Sequence, residues 1–332
     1  MSLLKTLFSL INQIPEGKVT NFYHLALALG DRKAAPTVAR ILKDMVSNSD
    51  YLSLEIPVHR VVSRDGFLWW EDAEKQRELL EREGVEIKKL PGLGTMIKNY
   101  RDRLFTAFDS DFPLKKCVEI QIKLSKKVEL RSFFSDSERE LKELKVAGFD
   151  VAYASGKAIG ASVVMIEGVD GEVLEKRILT VEESFPYIAG YLSFRELPAL
   201  LPLYKSLEHK PDISLLDGNG ILHPRKMGIA SHFGVLLNIP TIGVAKSLLT
   251  GRCDGNPEKK REGKIFLNSE LVGFYFKANR KVRKPVYISS GHKVLPEEAF
   301  QIVKIYSKFR VPEPLRLAHT LATEKRREMV GD

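Results

Sequence analysis

Apolar residues recur every three to four positions in the first third of the chain and gather into short unbroken runs further on. Residues 2–14 set Leu3, Leu4, Leu7, Phe8, Leu10 and Ile11 on one broad face, which predicts an amphipathic helix ended by Pro15 and Gly17. Asn21 can cap a second helix over 22–29, with Gly30 as its stop. A third helix over 34–46 is apolar at Val38, Ile41, Leu42 and Met45. Helix, glycine turn, helix is the plan of a helix-turn-helix, whose second helix reads a groove; a structural three-helix bundle carries the same pattern. Early Pro and Gly in 91–112 place a domain boundary near residue 105, with 95–112 as the linker.

Beyond it, 113–130 reads as helix, and 133–145 as a charged, solvated helical stretch. Apolar runs at 146–153, 158–167 and 172–182 predict three strands, the last two joined by a Gly-Val-Asp-Gly turn at 168–171. A helix from Ser193 to about Leu207 follows, then a strand over 213–217, a helix, and a fifth strand ending at Lys246. That order predicts an α/β domain with a mixed sheet and helices on its faces.

Length and charge refine this picture. At 332 residues the chain suggests two domains. Residues 1–94 hold 13 basic and 13 acidic side chains, so all of the +9 net charge falls after residue 94, where 39 basic groups face 30 acidic ones. A basic larger domain suits a polyanionic partner, although many basic proteins bind none. No apolar run reaches membrane-spanning length, and the first residues run straight into a helical pattern without a cleavage site. Cys117 and Cys253 are too few for a disulfide framework or a cysteine-rich zinc site. A cytoplasmic monomer with no membrane association is the expectation.

Candidate chemistry begins at Leu215, where an apolar strand ends on Asp217 and passes into Gly218-Asn219-Gly220, then His223-Pro224-Arg225. Asp150 and Glu196 also interrupt apolar segments, where an unpaired carboxylate is costly. Three converging carboxylates repel unless cations neutralise them, and oxygen-only ligands favour Mg²⁺ or Mn²⁺. Two such ions would activate a water and stabilise the leaving oxygen of a phosphodiester. The alternative is three unrelated acids paired with Arg195, Arg225 or Lys246. His24, His209 and His232 read as surface or satisfied helix histidines, and Trp69-Trp70 as core.

Two resemblances sharpen both domains. IPEGKVTNFYHLALALG, the helix after it, IPVHRVV and LLEREGV together resemble the C-terminal half of O6-alkylguanine-DNA alkyltransferases over residues 1–94. That family carries Pro-Cys-His-Arg, and Val58 stands here in place of the alkyl-accepting cysteine; an isopropyl group is no nucleophile. The resemblance therefore implies an alkyltransferase-like, non-catalytic, winged-helix-like domain that binds DNA or alkylated bases through Phe22, Tyr23, Arg40, His59 and Arg60. Phe22 takes the place of the base-flipping tyrosine and Pro36 that of the arginine finger.

AGFDVAY, PYIAGYLSFREL, LLDGNGILHPRKMGIASHFG, PTIGVAKSLLTG and ISSGHK, in that order, are similar to endonuclease V over residues 113–310. The likeness implies a ribonuclease-H-like fold and Mg²⁺-dependent nicking at the second phosphodiester bond 3′ to deoxyinosine. By the same likeness Asp150, Glu196 and Asp217 are metal ligands, Lys246 orients water or stabilises the phosphate, and His292 is a fifth catalytic group. His223 and Arg225 are expected on backbone phosphate and Tyr187 as the wedge for an extruded base. Gly190, Leu192, Gly218, Gly220 and Leu249 are expected to line the base pocket. Ala189 and Ser290 replace two prolines of the family motifs. An inosine-specific ribonuclease and a non-cutting lesion-binding adaptor are the alternatives.

Overall fold

The computed structural model describes residues 3–47, 56–134 and 143–331. The helix expected over 133–145 lies largely outside them. Contacts group the chain into two units, Met1–Val118 with Phe185–Ala189, and Glu119–Ser184 with Gly190–Asp332.

The first unit begins with α1 (Leu3–Asn12), which buries Leu3, Leu7, Leu10 and Ile11, followed by the short strand β1 (Thr20–Asn21) and α2 (Phe22–Leu29). Asn21 caps α2 by accepting the His24 N–H at 3.0 Å, and Gly30 closes it in the left-handed region. A 3-10 turn over Arg32–Ala34 leads into α3 (Ala35–Ser47). Then come β2 (Val61–Val62), α4 (Ala73–Arg82), a hairpin of β3 (Ile87–Leu90) and β4 (Gly94–Ile97), and α5 (Tyr100–Arg103). Helix-turn-helix plus hairpin is the winged-helix plan.

Residues 95–112 are not a solvated tether. Ile97 is fully buried among Val19, Val62, Leu80 and Val85. The backbone of Val19 pairs with Arg103 and Phe105, and Ser110 Oγ donates to the Ala28 carbonyl at 2.6 Å. Apolar burial on one side and backbone pairing on the other fix this stretch to the first unit.

Helix α6 (Pro113–Ser125) leads to the second unit. Its strands are β5 (Val146–Ala154), β6 (Lys157–Met165), β7 (Val173–Glu182), β8 (Ile213–Asp217), β9 (Thr241–Ala245), β10 (Arg252–Cys253), β11 (Glu262–Leu267), β12 (Glu270–Phe276) and β13 (Val286–His292). They form one sheet in the order β10-β11-β12-β13-β9-β8-β5-β6-β7, with β5, β8 and β9 parallel and the other pairs antiparallel. Its helices are α7 (Leu192–Ser206), α8 (Ile229–Leu237), α9 (Pro296–Ile305) and α10 (Glu313–Val330).

Strand alternation sorts the core into two layers. Ala147 and Phe149 of β5 face Leu197, Leu200 and Phe233 of α7 and α8. Val146 and Ile213 belong to the opposite layer with Ile302, Val303, Leu315 and Ala318 of α9 and α10. The mixed sheet with helices on both faces is as the hydrophobic pattern predicts. Four further strands after Lys246 extend it on one side.

Candidate active site

Parallel pairing of β5 with β8 sets Phe149 beside Leu216, so Asp150 and Asp217 emerge on neighbouring strands. β9 pairs with β8 and ends next to Asp217, which brings in Lys246. Glu196 comes from the second turn of α7. Sheet and helix thus deliver three acids and a lysine to one place.

Their electrostatics follow from crowding. Burial, then repulsion from Asp150 and Asp217, pushes the Glu196 carboxyl well above the usual carboxylate range. Burial also raises Asp217, and the ion pair with Lys246 pulls it back. Asp217 keeps 22% of its side-chain surface exposed, yet the protein around it still costs the charged form its solvation, so the upward direction stands. Beside Glu196, the Tyr153 phenol is raised by burial and by that carboxyl. Arg195 lies 3.6 Å above the Tyr153 ring and pairs directly with Glu183 at 2.8 Å, and it acts on Glu196 only as a nearby charge.

A residue unforeseen in the sequence completes the cluster. His319 Nδ1 lies 2.7 Å from Asp150 Oδ2, and this hydrogen bond raises the imidazole pKa. His319 sits on α10, next to the buried stripe of Leu315, Ala318 and Ala322. An imidazole bordering an apolar stripe was the available signal.

His292 is elsewhere. β13 runs antiparallel to β9 with His292 opposite Thr241, at the far end of β9 from Lys246. Four residues of strand separate those ends by about 13 Å. His292 is 2% exposed, and its Nδ1 accepts the Glu129 N–H at 3.1 Å. The ring is a satisfied buried group and lies outside the acid cluster. His232 is likewise internal: its Nδ1 is 3.0 Å from Ser193 Oγ, and burial pushes it down to about 4.

The loops expected to hold a base surround Gly190, which adopts φ +86°. Its carbonyl accepts from Arg225 Nη2 at 2.6 Å, from Gln121 Nε2 at 3.2 Å and from His223 Nε2 at 3.3 Å. Arg225 Nε also donates to Gln121 Oε1 at 2.7 Å, and its guanidinium lies 4.9 Å from the Tyr191 ring. Buried and half-buried donors need local acceptors, so His223 and Arg225 brace the Gly190 turn. Gly220 is obligatory by contact: a Cβ there would stand 2.0 Å from the Ser290 carbonyl oxygen. Leu192 and Gly218 adjoin Ile229, while Leu249 is 42% exposed on the turn after Lys246. Tyr187 is 51% exposed; its segment groups with the first unit, inside which Thr37 Oγ1 donates to the Tyr187 carbonyl at 2.7 Å.

Within the first unit the expected DNA-contacting side chains divide. Arg40 and Tyr23 are exposed, Tyr23 with the Arg64 guanidinium 5.9 Å from its ring. Phe22 meets Trp69 edge-on at 5.2 Å, and Trp70 is buried. His59 and Arg60 are committed internally, against expectation: His59 Nε2 lies 2.7 Å from Glu83 Oε1, Arg60 donates to both Glu83 oxygens, and Arg60 Nη1 reaches the Ile14 carbonyl. Val58, buried at 1% exposure, leads this turn.

A family model described as Endonuclease V matches residues 122–320, more than half of the chain. The chain belongs to the endonuclease V family. An endonuclease V of Trichormus variabilis is 45% identical over 183 residues, 54% of this chain and 82% of that protein. A solved endonuclease V of Ciona intestinalis, in complex with DNA containing an inosine followed by a ribo-adenosine, superposes with TM-score 0.58 at 31% identity. That match spans 66% of this chain and 100% of the other, and with it the large unit takes the ribonuclease-H-like fold. Residues 3–85 match the DNA-binding domain of 6-O-methylguanine DNA methyltransferase. A "bifunctional methyltransferase/endonuclease" of Picrophilus torridus is 32% identical across 99% of both chains, so the two-domain arrangement itself has a relative.

Proposed function

We propose that this endonuclease V is a DNA repair enzyme that nicks DNA at deoxyinosine, with Asp150, Glu196 and Asp217 as ligands for Mg²⁺, or Mn²⁺ in its place. The gathering of three acids with Lys246 and His319 at one sheet edge carries the reading. Among the described residues no three His, Cys, Asp or Glu side chains already stand at metal-ligand spacing. Their donor chemistry nonetheless fits a hard divalent cation: all three donors are oxygens, and burial and mutual repulsion push two of the carboxyls toward protonation. Such an ion supplies charge neutralisation at the phosphate and an acidified water.

The chain's own groups position the rest. Lys246 holds Asp217 and sets an ammonium where charge develops on the phosphate oxygens. His319 fixes the Asp150 carboxylate. Water attacks phosphorus, the 3′ oxygen leaves, and the products are a 3′-hydroxyl and a 5′-phosphate, at the second phosphodiester bond 3′ to the lesion. Gly190, Leu192, Gly218, Gly220 and Leu249 are the proposed base pocket and Tyr187 the wedge. His223 and Arg225 serve it as positioning residues through the Gly190 carbonyl.

The first unit docks on DNA without alkyl transfer, since Val58 offers no nucleophile. Tyr23 and Arg40 are its exposed candidates for contact, with Phe22 packed behind. Incubating a single-deoxyinosine duplex with Mg²⁺ tests the whole reading: a nick is expected, and Asp217→Ala should bind without cutting. Full-rate cutting by that variant would remove the metal assignment. Binding without any nick by the unmodified protein would favour the adaptor alternative. The Ciona substrate carries a ribose after its inosine, so deoxyinosine and riboinosine strands should be compared; preference for the latter would make this a ribonuclease, with the 2′-hydroxyl as discriminator. A labelled O6-methylguanine duplex should transfer no methyl group to the protein.

A further inference from the structure

The net charge of the chain is concentrated in one short stretch. Residues 252–284 hold 10 Lys and Arg against 4 Asp and Glu, which is +6 of the total +9. Eight of these ten cations fall on two loops, 254–261 between β10 and β11 and 277–285 between β12 and β13. Lys259, Lys260, Arg280, Lys281, Arg283 and Lys284 are all exposed, and among the described residues none is paired with an acid. Like charges crowded without counter-ions raise the energy of the isolated protein, and a polyanion relieves it.

Strand register tells where these loops lie. Glu262 at the start of β11 pairs with Phe276 at the end of β12, and Phe276 pairs with Val286 at the start of β13. Tyr287 in turn pairs with Ala245, the residue before Lys246. Both basic loops therefore leave the sheet at the edge that carries Lys246 and Asp217. Counting strands at about 4.8 Å each, they stand some 10 to 19 Å along that edge from the carboxylates.

The loops are also tied down. Lys277 Nζ donates to the Glu258 carbonyl at 2.8 Å, and Arg261 Nη2 to the Ala278 carbonyl at 2.8 Å, which links one loop to the other. Arg310 Nη2 bridges the carbonyls of Pro285 and Lys246 at 3.1 and 2.7 Å, which links them to the catalytic strand.

We infer that these two loops form a second phosphate-binding platform that grips duplex DNA about 3 to 6 base pairs from the scissile bond, a span set by the roughly 3.4 Å rise per base pair. The inference rests on the nuclease reading for the position of the cut. The match is to the duplex backbone: a row of cations at fixed distance from one hydrolytic centre, with no pocket to read a base.

The test uses the full chain with R280Q, K281Q, R283Q and K284Q combined, and independently K259Q with K260Q. Binding to a deoxyinosine duplex extending about 12 base pairs either side of the lesion is measured without divalent cation from 50 to 200 mM KCl; the slope of log K against log salt should shrink by about 0.9 for each phosphate the variant no longer neutralises. On a hairpin ending about 3 base pairs from the lesion, too short to reach the platform, variant and parent should bind alike. Nicking of saturating long duplex should keep the parental kcat, while KM rises. Unchanged slopes on the long duplex, or equal weakening on long and short DNA, would overturn the platform. Slopes that shift as stated while the parent fails to nick would leave the platform standing and remove the nuclease reading instead.

Discussion

Glu83 should be the structural keystone of the first unit, and its removal separates a folding role for His59 and Arg60 from a DNA-contacting one. The carboxylate accepts from Arg60 Nε and Nη2 at 3.0 and 2.8 Å, from His59 at 2.7 Å and from the Gly17 N–H at 3.1 Å. The side chains of Glu83, His59 and Arg60 are only 10%, 16% and 18% exposed. Glu83→Ala strands a mostly buried guanidinium beside a histidine, a defect that costs 3–5 kcal/mol in fully buried cases; solvent at the rim argues for about 3 here. In a unit of this size that lowers the melting temperature by roughly 10 °C. Burial opposes ionisation of Glu83, but the bonds from Arg60, His59 and Gly17 outweigh it and hold its pKa below the ordinary value. A depressed acid stabilises the fold above its unfolded pKa and loses that stabilisation as pH falls through the folded one. The parent should therefore lose stability on acidification below about pH 4.5, more steeply than Glu83→Gln. Thermal scans of the full chain, with amide exchange to locate the change in the first unit, read both effects. If Arg60→Gln weakens DNA binding severalfold with no loss of stability, the side chain serves DNA and not the fold.

Three further outcomes bear on the second unit. His319→Ala should cut nicking by about 10- to 100-fold, whereas His292→Ala should keep the rate and lose about 1–3 kcal/mol of stability; the reverse ranking in a nicking assay would restore His292 to the site. Gly220→Ala drives a methyl into the Ser290 carbonyl and should cost about 3 kcal/mol or more, seen as a lower urea midpoint with nicking lost. Glu196 has a raised folded pKa, so its contribution to stability is present below its unfolded pKa and lost as pH rises through the folded one. Glu196→Gln should then melt above the parent at pH 8 in EDTA, with the gap closing on acidification and Mg²⁺ raising only the parent substantially; a constant gap across pH would contradict the crowding.

Legibility in the sequence followed the range of the interaction that fixed each element. Helix α2 lay open because its stop signals are local: Asn21 and Gly30 cap it within three residues of either end. β8 and Asp217 were legible for the same reason, a short apolar run ending on a carboxylate, and β5 as an apolar run that Asp150 interrupts. The strands from Arg252 to Phe276 were not, since two of them form the edge of the sheet, where exposed faces blur the apolar alternation. His319 depends on α10 crossing β5, a contact between residues 169 apart, and nothing in its immediate neighbourhood encodes that crossing. His223, Arg225, His59 and Arg60 show the converse. Charged groups in conspicuous motifs invite a ligand, yet their partners are the carbonyl of Gly190 and the carboxylate of Glu83, supplied from distant segments.

The two cations of the cluster do not serve the three acids equally, and this asymmetry gives the site its character. Lys246 is spent on Asp217 and His319 on Asp150, while Glu196 has no ion-pair partner among the described residues. Burial and two neighbouring negative charges fall on that carboxyl, and the nearby charges of Arg195 and Lys246 offset them only in part. A fold selected for stability alone would replace such a group with an amide at little cost in volume. Keeping the acid makes sense where positive charge arrives from outside, and at Glu196, as a proposed ligand, that arrival would be coupled to the loss of a proton.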